Sequence, residues 1–150
     1  MRGRSVALLL LVALLAACEG FDVESNGPEL PNTCVVKADE PHLSSTARRK
    51  GYRSMVAKAW FSCSTPLHDA TLELEIQERE GRGWVHVDSA RPSNITSVKL
   101  KKKYESVLEI ACARGTYRAR AHLSGRAQDG TPGQSAWLVS RSRTDPCGEG

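Results

Sequence analysis

The residues best suited to chemistry in this 150-residue chain are four histidines, five cysteines and a run of glutamates. His42, His68, His86 and His122 are scattered, with no HxxxH and no His-carboxylate spacing. Zinc sites declare themselves by close ligand pairs, so no metal and no cofactor is expected. Glu73, Glu75, Glu78 and Glu80 invite a reading as paired catalytic carboxylates or a calcium face; at strand spacing they more simply form the solvated side of one strand. Ser54, Ser62, Ser64 and Ser106 stand in no Gly-x-Ser-x-Gly elbow, and no Walker-type phosphate loop is present. The expectation is a protein that is not an enzyme.

Basic residues are the second candidate group. Lys99, Lys101, Lys102 and Lys103, with Arg114, Arg118, Arg120, Arg126, Arg141 and Arg143, would suit a surface that meets an anionic polymer or anionic lipid. Arg118 and Arg120 are the leading candidates for binding; cross-strand pairing with the glutamate strand is the competing use for them. Trp84, on the opposite alternation from Val85 and Val87, is a candidate ligand anchor or a cover over its strand pair. Without Arg2 and Arg4, 19 basic side chains face 17 acidic ones. That balance speaks against a nucleic-acid partner, which calls for a strongly basic domain. Asn94-Ile95-Thr96 matches a glycosylation acceptor by chance and reads as a surface loop.

These residues need a compartment and a scaffold. Arg2 and Arg4 precede an apolar run from Val6 to Leu15, far short of the roughly 20 residues that span a bilayer, so residues 1–17 read as an export signal. Leu15-Ala16-Ala17-Cys18 is similar to a lipobox, which implies that Cys18 carries diacylglycerol and holds the protein on the outer face of the cell membrane. Two acyl chains suffice for stable anchoring. Residues 19–33, with four acids, two glycines and two prolines before Thr33, read as a tether with a reach of roughly 20 Å if flexible. In such a compartment Cys34, Cys63, Cys112 and Cys147 form an even, disulfide-competent set and are not nucleophiles.

Two-residue alternation dominates the rest. Met55, Ala57, Ala59, Phe61 and Cys63 share one side; Leu72, Leu74 and Ile76 alternate with Glu73, Glu75 and Gln77; Tyr117, Ala119, Ala121 and Leu123 alternate with Arg118, Arg120 and His122. These are strands with one dry and one wet face. With Gly-rich turns at 80–83, 113–115 and 129–133, strands are expected over about 34–40, 53–62, 71–79, 83–89, 104–111, 116–124 and 134–141. The domain therefore spans 34–147, followed by a short tail at 148–150. The expected fold is an all-β, seven-stranded antiparallel sandwich.

Trp60, the stretch Leu72 to Glu78, Gly83-Trp84-Val85-His86-Val87, and Gly115-Thr116-Tyr117-Arg118-Ala119-Arg120-Ala121 together resemble a fibronectin type III domain over residues 53–141. That family, of immunoglobulin-like architecture, implies a corner tyrosine at Tyr117 whose hydroxyl ties back to the backbone. Four cysteines depart from most such domains. They are similar to those of small exported actinobacterial proteins, a likeness that implies architecture and no activity.

The topology implied by this resemblance puts Cys34 beside Cys63 and Cys147 beside Cys112. A core bridge between Cys63 and Cys112 stays open, because both face inward on the alternation. The same topology places the tether at the end that carries loops 64–70 and 125–133, with Cys112, Arg114 and the C-terminus at the far end. The expected function is a monomeric, noncatalytic binding or structural module of the cell envelope, whose partner is an envelope protein or polymer. A phage or plasmid exclusion lipoprotein and an inhibitor of an envelope enzyme are the alternatives.

Overall fold

A computed structural model describes residues 33–148. The segments expected to be an export signal, a lipid attachment site at Cys18 and a tether up to residue 32 lie outside the described residues, as do 149 and 150. Among those described, the chain forms β1 (Cys34–Ala38), β2 (His42–Leu43), a single-turn helix α1 (Ser45–Arg49), β3 (Ser54–Cys63), β4 (Leu67–Glu80) and β5 (Gly83–Ser89). It continues with β6 (Ser93–Val98), β7 (Tyr104–Ala111), β8 (Thr116–Ala127), β9 (Pro132–Gln134), β10 (Leu138–Val139) and β11 (Arg143–Thr144).

All pairings are antiparallel. In a four-stranded sheet β3 is central, with β1 and β2 in succession along one side and β7 on the other. In a seven-stranded sheet β4 pairs with β6 and then β5 on one side and with β8 on the other, and β8 is lined along its far side by β9, β10 and β11.

The alternating apolar positions close on one another between the two sheets. Met55, Ala57, Ala59 and Phe61 of β3 are fully buried, as are Leu72, Leu74 and Ile76 of β4 and Ala119, Ala121 and Leu123 of β8. Phe61 stacks on Tyr104, with centroids 5.2 Å apart. Burying such a side chain is worth about 1.5–3 kcal/mol for the larger residues, so this double stripe is what holds the sheets together. Cys34 is bonded to Cys63, and Cys112 to Cys147. Each bridge closes strand ends that are already neighbours, Cys34 being the register partner of Cys63. The Cys63 to Cys112 core bridge is not formed, because Ala111 is the register partner of Ser54, which puts Cys112 at the opposite end of β3 from Cys63.

Three expectations are corrected. Residues 93–98, taken as a loop around Asn94, form β6 and pair with the start of β4; the strand is too short to show a period, with Ile95 and Val98 turned toward the core. Strands also reach further than the alternation suggested, so 67–70 and 125–127 belong to β4 and β8, not to loops. The single last strand over 134–141 is broken into pieces. On either side of β10, the hydroxyls of Ser135 and Ser140 accept the backbone N–H groups of Leu123 and Ala119 at 3.0 and 2.9 Å. Side chains thus take over ladder bonds where the chain swings away from β8.

Candidate functional site

The two groups of basic residues have different surroundings. On the outer face of the seven-stranded sheet, β4 and β8 bring complementary side chains into register: Asp69 opposite Arg126, Glu73 opposite His122, Glu75 opposite Arg120 and Gln77 opposite Arg118. Each register pair is also a hydrogen bond. Arg118 Nε donates to Gln77 Oε1 at 2.8 Å, and Arg120 Nε to Glu75 Oε2 at 2.6 Å. His122 Nδ1 meets Glu73 Oε2 at 2.8 Å, and Arg126 Nε donates to Asp69 Oδ2 at 2.9 Å.

Two tryptophans cover this ladder. Trp84 lies under the Arg118 guanidinium at 4.2 Å, and Trp137 under that of Arg120 at 4.3 Å while stacking on His122 at 5.1 Å. A guanidinium over an indole face is attracted by the ring quadrupole, and arginine keeps its in-plane donors free for a carboxylate while so stacked. Burial, and then the charge of Arg120, hold the Arg118 guanidinium below its ordinary value. The Arg126 side chain holds the Asp69 carboxyl below the usual carboxylate range, with a smaller contribution from His68.

Arg118 and Arg120 are therefore brought together and both are hydrogen-bonded within their own sheet, but only Arg120 is neutralised there, by Glu75, whereas Arg118 meets the neutral amide of Gln77. Trp84 is half-buried beneath Arg118 and has the covering role. Trp137 was not singled out from sequence. The signal available was the serine on either side of it, Ser135 and Ser140, which lets the chain bulge and lift the ring onto the outer face.

The glutamate run is divided by the alternation of β4 against β8, which continues unbroken from Glu73 through Gln77 and sets Glu78 opposite the inward-facing Tyr117. Glu73 and Glu75 join the ladder, whereas the Glu78 carboxylate lies beside Tyr117. Burial, then the Glu78 charge, push the Tyr117 phenol above its ordinary value, and its hydroxyl donates to the Arg114 carbonyl at 3.3 Å. Among the described residues, no group of three or more His, Cys, Asp or Glu is arranged to hold a metal ion. None of their helices is long and apolar enough to cross a membrane.

The lysines form the second group. Lys99, Lys101, Lys102 and Lys103 occupy the turn between β6 and β7, far in register from Arg118 and Arg120, so the single basic surface expected from sequence is two separate ones. Arg114, Arg141 and Arg143 belong to neither. Arg114 lies in the turn after β7 beside Cys112, and Arg143 reaches Glu40 at 3.3 Å.

No family model matches the chain, and no curated protein sequence matches it at a significant level. Among solved structures, it is similar to one described as ApaA from Bordetella pertussis, with 15% identity, a TM-score of 0.42, and coverage of 79% of this chain and 98% of that one. The likeness is too slight for any property of that protein to be read across.

Proposed function

We propose that this chain is a lipid-anchored protein on the outer face of a bacterial cell membrane, where it serves as a noncatalytic binding or structural module. The observation that carries the reading is the pair of disulfides, Cys34 with Cys63 and Cys112 with Cys147. Such bonds persist in oxidising compartments outside the cytoplasm. They also leave Cys18, at the end of the lipobox, as the one cysteine with a different fate.

A fibronectin type III-like sandwich is the architecture proposed for the domain. Counting segments that share one edge as a single strand, three strand positions face four, and the Tyr117 hydroxyl is tied to the backbone of Arg114. Such folds keep binding on their end loops and open faces, displayed on a rigid core. The partner is an envelope protein or an anionic polymer.

Replacing Cys18 with Ala tests the anchor: unprocessed precursor should accumulate and metabolic labelling with a fatty acid should vanish. Normal processing of that variant would remove the lipid-anchored reading. Cross-linking in intact cells followed by affinity capture tests the binding role. Capture of a defined envelope component supports it, and turnover of an envelope substrate by the purified protein would replace it with an enzyme.

A further inference from the structure

The turn that joins β6 to β7 has the sequence Lys99-Leu100-Lys101-Lys102-Lys103. It is fastened to the end of the sandwich where the chain enters. The Lys101 N–H donates to the Cys63 carbonyl at 2.8 Å, and Cys63 is bonded to Cys34, the residue after Thr33. The turn has a defined shape: Lys102 N–H returns to the Lys99 carbonyl at 3.3 Å, Lys99 N–H donates to the Tyr104 hydroxyl at 3.0 Å, and Lys101 takes a φ of +55°. A held turn can present its side chains in one direction without further ordering.

It carries one apolar side chain flanked in sequence by four lysines. Leu100 is 53% exposed. Lys102 rests over the Tyr104 ring at 5.1 Å and Lys103 over Trp60 at 4.9 Å. Among the described residues, none of the four lysines is ion-paired. The other charges at this end, among the described residues, are Glu105 with Lys58, Lys37 with Asp39, Arg126 with its partner Asp69, His68 beside Asp69, and Asp129, which accepts from the Thr131 N–H. Among the described residues positive charge is in excess there, while the adjoining stretch 19–33 carries four acids in its sequence.

We propose that this turn is a second membrane contact, in which the four lysines engage anionic phospholipid headgroups and Leu100 enters the interface between headgroups and acyl chains. The proposal rests on the lipid-anchored reading, because that reading brings this end to the bilayer. The 15 residues from 19 to 33 span at most about 50 Å when fully extended, and they join the domain beside the turn. A polyanion in solution would be satisfied by the lysines alone, whereas an exposed leucine among them fits a surface with both charge and hydrocarbon. Each lysine near an anionic membrane contributes roughly fivefold in partition. The contact would hold the sandwich upright on its anchor and turn the Cys112 end outward.

The processed chain from residue 18, carrying Cys18→Ser so that no acyl group is present, tests this directly by co-sedimentation with vesicles of phosphatidylcholine with and without phosphatidylglycerol. Binding should require phosphatidylglycerol and weaken with salt. The pair Lys99→Gln and Lys101→Gln should lower partition by about 25-fold and the corresponding Glu pair by more, and Leu100→Ser should leave a weaker, wholly salt-sensitive residue of binding. Equal partition into both vesicle types, or indifference to both lysine pairs, overturns the proposal. Binding to a soluble teichoic-type polymer with none to vesicles replaces the bilayer with a polymer. Fatty-acid labelling at Cys18 separates the two readings: label without vesicle binding keeps the anchor and removes the contact, and vesicle binding without label does the reverse.

Discussion

The strand β8 and the turn before β7 are both basic in sequence and differ in structure. Arg118, Arg120 and Arg126 each meet a hydrogen-bonding side chain of β4 at their own register position, and Trp84 and Trp137 cover two of them. Among the described residues, Lys99 and Lys101 meet no carboxylate. The difference teaches that a charge on a strand is available to a partner only when the neighbouring strand lacks its complement. Two alternating strands of opposite sign, once in register, neutralise one another wherever a carboxylate stands opposite a cation, and Arg118, opposite the neutral Gln77, is held by a hydrogen bond and the Trp84 ring instead. A turn has no such neighbour.

The comparison is broken most severely at Gly125, between Ser124 and Arg126. A Cβ there would stand 2.5 Å from the Asp69 carbonyl oxygen and 3.1 Å from the Ala70 Cα, both backbone atoms of the partner strand. Gly125→Ala should therefore prise β8 from β4 and cost about 2–3 kcal/mol in urea denaturation, with loss of the ladder's tryptophan fluorescence signature. A change below half that value would show that the strands yield without strain.

Next in size is Arg120→Glu, which sets two carboxylates opposite each other under Trp137. It should destabilise by about 2–3 kcal/mol, and Arg120→Lys by less, since lysine lacks the planar group that stacks and forks together. In a double-mutant cycle, Trp137→Ala should couple to Arg120→Ala by about 1 kcal/mol. Additivity would mean that the indole is a passive cover.

A smaller effect is expected at Asp69. Its carboxyl is held below the usual range when folded, so the pair with Arg126 contributes stability at neutral pH that is lost as pH falls through that lowered value, below about 4. Replacing Arg126 with Ala should reduce the steepness of acid unfolding over that window. An identical acid limb would show the pair to be without net effect.

The smallest effect sharpens the contrast. The pair Lys99→Gln and Lys101→Gln should change stability by no more than about 0.5 kcal/mol, because these side chains touch nothing that folding depends on. A larger loss would place them in the fold after all.

Much of this was legible because alternation reports a strand's two environments directly. Leu72 to Gln77 and Tyr117 to Leu123 read correctly as dry and wet faces, and their buried sides form the core. Signals failed where an element is shorter than a period or departs from it. β6 has too few apolar positions to show alternation, and α1 is one turn started by the Ser44 side chain accepting from Ala47 N–H at 3.2 Å. Trp137 stayed hidden because it sits where the last strand leaves the ladder.

By itself the sequence determined which residues face the core, where the chain turns and how many cysteines have to be partnered, since those depend on local period and composition. Only the tertiary structure decided which charges are free. Whether Arg120 meets a carboxylate and Lys101 meets none among the described residues depends on which strand lies alongside and at what offset, and for Arg120 that is set by packing between segments 45 residues apart in the chain.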